Sequence, residues 1–155
     1  MSLLPLFEAL GRTPAGEYLR ASTLAFALTE AVHLIALALI GGIVAVVGLS
    51  GAGLFVPRAW ASALTVSLRP LFLGATTAVI LSGLGLVAAG PYKYYSNPVF
   101  WIKLDLLAGA LILYAIIDRS LARRMDDRWY WRAGAFMLPV LWLSVAIAGR
   151  AIGLI

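Results

Sequence analysis

Between Arg20 and Arg58 only two side chains, Glu30 and His33, can carry a charge near neutral pH. The intervening run, Ala21 to Phe55, reads ALTEAVHLIALALIGGIVAVVG through its middle and is longer than the about 20 residues an apolar helix needs to cross a bilayer. Backbone inside hydrocarbon has to satisfy its own hydrogen bonds, so a spanning run of this kind is helical. Three further apolar stretches follow. Arg69-Pro70 and Gly90-Pro91 bracket the second. Asn97-Pro98 opens the third, with proline in a first turn where its missing N–H costs nothing. The fourth begins near Gly134. The expected fold is all-α: an integral membrane four-helix bundle over residues 21–155, with spans at about 24–49, 68–89, 98–117 and 134–154.

Composition agrees. Only 12% of the 155 residues are charged and mean hydropathy is +0.97, whereas soluble domains carry about 25% charged residues. A net charge of +5 does not point to nucleic acid here, because the cations gather at the ends of apolar segments. The lipid bilayer is the expected partner, with no nucleic acid. The absence of cysteine excludes disulfides, thiolate metal sites, CxxCH haem attachment and cysteine catalysis. No phosphate loop, nucleophile elbow, HExxH or paired-histidine motif is present, so the reading leans away from an independent enzyme.

Residues 1–20, MSLLPLFEALGRTPAGEYLR, are interrupted by Pro5 and Gly11 and are too short to span, which predicts an interfacial segment. Thr13-Pro14 and Ser22 both qualify as helix starts. An acidic start containing proline and glycine is unlike a secretory signal. The first and third loops hold Arg58, Arg69, Arg119, Arg123, Arg124, Arg128 and Arg132; the opposite side holds Arg12, Arg20, Lys93, Lys103 and Arg150. The excess of cations in the first group predicts a multi-pass protein with both termini facing away from the cytoplasm. Trp129, Tyr130 and Trp131 then form an inner aromatic belt, and Tyr92, Tyr94, Tyr95 and Trp101 an outer one.

Ionisable side chains inside a span cost roughly 2.5–3.5 kcal/mol each on insertion scales and are functional by default. Glu30 and His33 share a helix face three residues apart. Lys103 and Asp105 fall within two turns of the outer start of the third span, and Arg150 near the outer end of the fourth. Arg69 apart, every such group is expected in one outer layer, which makes Glu30, His33, Lys103 and Arg150 the candidate site. On the first helix Glu30, His33, Leu37, Gly41, Val44 and Gly48 form a stripe about 80° wide that is shallow past Leu37. It suits either close helix packing or the edge of a flat cofactor. The second helix offers Gly74, Ser82, Gly83 and Gly85. On the third, Lys103 aligns with Ala110 and Tyr114, while Asp105 lies about 200° away with Gly109 and Ile116. One face is expected to meet the bundle and the other a neighbouring subunit or an interfacial water.

A single imidazole can ligate a haem iron axially, and nearby Arg or Lys can neutralise propionates. His33 is therefore the candidate metal ligand. Glu30 can accept its ring N–H, or the two can relay protons. With one histidine, a second axial ligand has to be Lys103, a methionine, water or a partner's residue. The open alternatives are an interhelical hydrogen-bond network that only fixes packing, and copper or proton handling.

EAVHLIALALIGG, then NPVFWIKLDLLAGALILYAIIDR, and the closing AIAGRAIGLI resemble small four-helix bacterial membrane proteins of unknown function. These are distantly similar to the copper-resistance D-type proteins and the HemJ-type protoporphyrinogen oxidases. In the HemJ-type proteins a first-helix histidine and a third-helix lysine are associated with haem. The resemblance therefore implies haem b or a related tetrapyrrole at His33, with Lys103 as the matching lysine and Arg150 as the matching last-helix arginine. Two function classes follow. One is a tetrapyrrole-binding, electron-transferring membrane protein. The other is a non-catalytic accessory subunit of a larger respiratory or photosynthetic membrane complex.

Overall fold

The computed structural model describes residues 3–122 and 129–151. Among these the regular structure is helical throughout: α1 (Leu4–Gly11), α2 (Pro14–Ala21), α3 (Thr23–Gly51), α4 (Arg58–Ala89), α5 (Pro91–Tyr95), α6 (Pro98–Ala122) and α7 (Trp129–Ala151). Four of them, α3, α4, α6 and α7, are long and apolar enough to cross a membrane, which makes this a multi-pass membrane protein. The basic cluster Arg123, Arg124 and Arg128 lies outside the described residues, as do the side chain of Arg58 and the end of the fourth expected span.

Both helix starts proposed for the N-terminal segment are used. Thr13 Oγ1 accepts the Gly16 N–H and opens α2; Ser22 Oγ accepts the Ala25 N–H and opens α3. Asn97 caps the entry to α6 by accepting the Val99 N–H at 2.9 Å. Two ends differ from expectation. Helix α4 begins ten residues before Leu68 and passes through Pro70, because the segment ASALTVSL before the proline is itself a good helix former. Helix α6 continues past Ile117 to Ala122, which carries Asp118 inside the helix.

The long helices form an up-down-up-down bundle. Helix α3 packs against α4 and α7, and α6 packs against α7 and α4, each pair antiparallel. Helices α3 and α6 touch across the short diagonal, whereas α4 and α7 do not meet. Ile40, Val44 and Val47 of α3 and Leu138 and Val145 of α7 are fully enclosed and form the centre of the core. The α3 glycines let α7 approach. A Cβ on Gly48 would stand 2.7 Å from both the Ala135 carbonyl oxygen and Pro139 Cδ, and one on Gly41 would stand 2.6 Å from Trp142 Nε1. The shallow stripe below His33 is therefore a packing seam occupied by α7.

The end of the bundle that carries α1, α2 and α5 is here termed the capped end, and the opposite end the far end. Arg20 closes the cap by donating to the carbonyls of Gly11 and Ala88. Phe7 of α1 packs edge-on to Tyr95 and Phe100, with centroids 5.4 and 6.1 Å away.

Candidate functional site

His33 sits about 15 Å along α3 from its capped-end start. It is 8% exposed, and its ring lies against α4, where Gly83 leaves room: a Cβ there would come within 3.2 Å of His33 Cε1. Its Nδ1 is 2.9 Å from Ser82 Oγ. Ser82 has one hydroxyl proton, and that proton is directed to the Ala78 carbonyl one turn back, with Val79 O at 3.3 Å. Ser82 Oγ therefore accepts, Nδ1–H donates, and the Nε2 lone pair is left without a protein partner among the described residues. The ring is fixed in orientation and tautomer by a neighbour on another helix, as outer-shell partners of ligating histidines do.

Lys103 completes the site from α6. It is half-buried, close enough for its charge to act on the imidazole, and without a hydrogen bond or ion pair among the described residues. Its stem crosses α7 at a glycine: Cε and Nζ lie 3.4 Å from where a Cβ of Gly149 would stand. Each long helix thus supplies one part: His33, the Ser82-Gly83 pair, Lys103 and Gly149.

The other two expected members stand apart. Glu30 is exposed and makes no hydrogen bond or ion pair among the described residues. Helix α4 covers the His33 side of α3, and the offset of about 60° between positions three apart leaves Glu30 outside it. Glu30 lies instead near Tyr94 of α5, whose phenol is pushed above its ordinary pKa by burial and, to a lesser degree, by that carboxylate. The partner of His33 is Ser82, not Glu30. Arg150 is exposed one residue past Gly149, and Asp105 is exposed on α6. Ser82 was visible in the sequence only as one of several small residues on the second helix. Its depth, about 10 Å below Ala89, is the signal that could have singled it out.

A second polar layer was not expected. Arg69 Nε donates to Asp118 Oδ1 at 2.8 Å, joining α4 to α6 toward the far end. One turn above, Phe72 and Tyr114 stack at 3.7 Å with their planes 12° apart, and the Tyr114 hydroxyl is buried without a partner. The single outer layer is thus corrected to two layers. The reason is the extra turn of α6 that brings Asp118 into the bundle.

An open cleft of about 310 Å³ lies at the capped end among Leu19, Arg20, Phe26, Leu86, Lys93 and Tyr94; His33 does not line it. No group of three or more His, Cys, Asp or Glu side chains able to hold a bare metal ion occurs among the described residues. No curated protein and no solved structure matches the chain. The model of a family of unknown function, DUF6644, matches residues 10–155, and the chain belongs to that family.

Proposed function

We propose that the protein is an integral four-helix bundle of the bacterial inner membrane that binds haem b or a related tetrapyrrole through His33. Both termini are on the periplasmic side, and α1 and α2 lie in the outer interface. The observation that carries this reading is the state of the imidazole: buried, with Nδ1 2.9 Å from Ser82 Oγ, no other side-chain partner among the described residues, and Lys103 close enough for its charge to act on the ring. A bare copper or zinc ion needs three or four protein ligands, which the described residues do not assemble. A macrocycle brings its own four nitrogens, so one imidazole is enough. The donor set fits such a group. If such a group binds, His33 would hold it and Lys103 would supply a second ligand or a charge for a propionate. Orientation rests on the arginines of the first and third loops. Exposed Trp129 and Tyr130 at the far end, and exposed Tyr92 at the capped end, suit the two interfaces.

The test is an absorption spectrum of protein purified in mild detergent from cells supplied with a haem precursor, before and after dithionite. A Soret band that shifts on reduction, persists in Glu30→Gln and is lost in His33→Ala is expected. A wild-type protein with no Soret band overturns the reading.

Asp105 favours a second, compatible reading as an accessory subunit. It lies about 10 Å below the start of α6, exposed, with no hydrogen bond or ion pair among the described residues. A carboxylate facing hydrocarbon at that depth is costly, and a neighbouring subunit would relieve it. Native mass analysis after gentle solubilisation should find a larger assembly that Asp105→Asn weakens; a lone monomer in both removes this reading.

A further inference from the structure

The cleft at the capped end straddles the boundary of the apolar spans. Its rim carries Arg20 of α2 and Lys93 of α5, both outside the spans. Its lower wall carries Phe26 of α3 and Leu86 of α4, each about 5 Å inside the end of its span. Both cations have capacity to spare. Lys93 is exposed and makes no hydrogen bond or ion pair among the described residues. Arg20 gives one N–H to the Gly11 carbonyl and one to that of Ala88, which leaves three of its five N–H groups. Those two bonds hold the guanidinium at the mouth of the cleft before any ligand arrives. No carboxylate among the described residues pairs with either cation: Glu8 is taken up by Tyr92 and Arg12, and Glu30 lies about 10 Å down α3.

Two unneutralised cations above an apolar wall match an amphiphile with an anionic head. We infer that this cleft binds one anionic phospholipid of the surrounding bilayer. Arg20 and Lys93 hold the phosphodiester oxygens, and the start of an acyl chain lies against Phe26 and Leu86. The planar fork of a guanidinium suits two phosphate oxygens at once, and an ammonium adds a second point charge. A free phosphate would use the cations but leave the apolar wall uncovered. A zwitterionic lipid brings an ammonium group that the same two cations repel. Glu30, deeper on α3, keeps the anion at the rim. The volume of about 310 Å³ accommodates a head group and the first methylenes of a chain, while the remaining chain stays in the bilayer. His33 does not line the cleft, so the inference is independent of what His33 binds.

The experiment is native mass analysis of the whole chain, delipidated in detergent and given phosphatidylglycerol or phosphatidylcholine with the same acyl chains. One phosphatidylglycerol should bind at a concentration about tenfold below that needed for phosphatidylcholine. Lys93→Gln should weaken the phosphatidylglycerol complex about fivefold. Arg119→Gln, which removes the same charge from an exposed site at the far end, should leave it unchanged. Lys93 is the residue to vary because its exposed side chain supports nothing else, whereas loss of Arg20 would also open the cap. Equal binding of the two lipids overturns the inference, and so does equal affinity of the Lys93→Gln and Arg119→Gln variants for phosphatidylglycerol. Displacement of the lipid by millimolar inorganic phosphate would assign the two cations to a soluble anion and overturns it as well.

Discussion

The two polar layers of the bundle are built on opposite principles. At the far end, Arg69 and Asp118 satisfy one another at 2.8 Å across the α4–α6 boundary, and an aromatic stack closes over them. Toward the capped end, Ser82 is the one side-chain partner of His33, and Lys103 has no hydrogen bond or ion pair among the described residues. A charged pair that completes itself explains its own presence in a membrane helix, because each member offsets the desolvation of the other. Groups left with spare valence in a crowded, glycine-opened position are not explained by packing. The difference separates a self-completed structural pair at one end from the candidate site at the other.

Removing one member of the far pair should have the largest effect on stability. Asp118→Leu leaves the Arg69 guanidinium uncompensated. Loss of one partner from a fully buried pair costs about 3–5 kcal/mol. Arg69 is 39% exposed, so the expected loss is nearer 2 kcal/mol. Unfolding in a denaturing-detergent titration measures it, and the double variant with Arg69→Leu should recover part of the loss. A Soret band, where the wild type has one, should persist in the folded fraction. An unaltered unfolding midpoint would remove the distinction between the layers.

The glycines sharpen the same contrast. In Gly48→Ala the new methyl meets a backbone carbonyl and a proline ring at 2.7 Å, neither of which can move without shifting α7. Overpacking of this kind costs about 1–3 kcal/mol. In Gly83→Ala the neighbour is a side-chain atom, His33 Cε1, at 3.2 Å. The ring can yield by a few tenths of an ångström, so stability should fall by less than in Gly48→Ala while the site is disturbed. Equal midpoints for the two variants would contradict the assignment of one glycine to packing and the other to the site.

Much of this architecture was legible in the chain. The four spans follow from apolar length, and the turns from Ser22 and Asn97-Pro98, because lipid leaves the backbone few choices. Charge placement singled out His33 and Lys103 as candidates for a related reason: an ionisable group in a span is conspicuous. Partners were harder to read. Helical spacing puts Glu30 and His33 on one face, but which side of that face α4 covers is decided by packing between helices, and so Ser82 rather than Glu30 holds the ring. Pro70 was read as a boundary although α4 runs through it, and the end of α6 was placed at Ile117, one residue short of Asp118. Both errors hid the far layer, since an ion pair between helices has no local sequence signature.

Ser82→Ala should have a smaller effect on stability, about 1 kcal/mol for one side-chain hydrogen bond, with a distinct signature. His33 is the only histidine, so nitrogen-15 spectra of histidine-labelled protein report its ring alone. The wild type should show a neutral ring protonated at Nδ1, and the variant a mixture of the two tautomers. A wild-type ring protonated at Nε2 would reverse the assignment of donor and acceptor and with it the free lone pair.

The smallest effect belongs to the cap, where the Tyr92 hydroxyl donates to Glu8 Oε1 at 2.7 Å and ties α5 to α1. That hydrogen bond, and then the charge of Glu8, hold the Tyr92 phenol above its ordinary pKa of 10.0. The folded state thus favours the protonated phenol. A group with a raised folded pKa contributes its stability fully below the unfolded value, and the contribution disappears as pH rises through the folded one. Docking of α1 should therefore weaken as the medium is taken above about pH 10, seen as faster proteolysis within residues 4–11, and the change should be absent in Tyr92→Phe. Because the phenol is exposed, the effect should be confined to the cap and leave the far layer untouched. A pH response in Tyr92→Phe equal to that of the wild type would assign the loosening to other groups. A response that also shifts the Asp118-dependent unfolding midpoint would show that the two ends of the bundle are coupled.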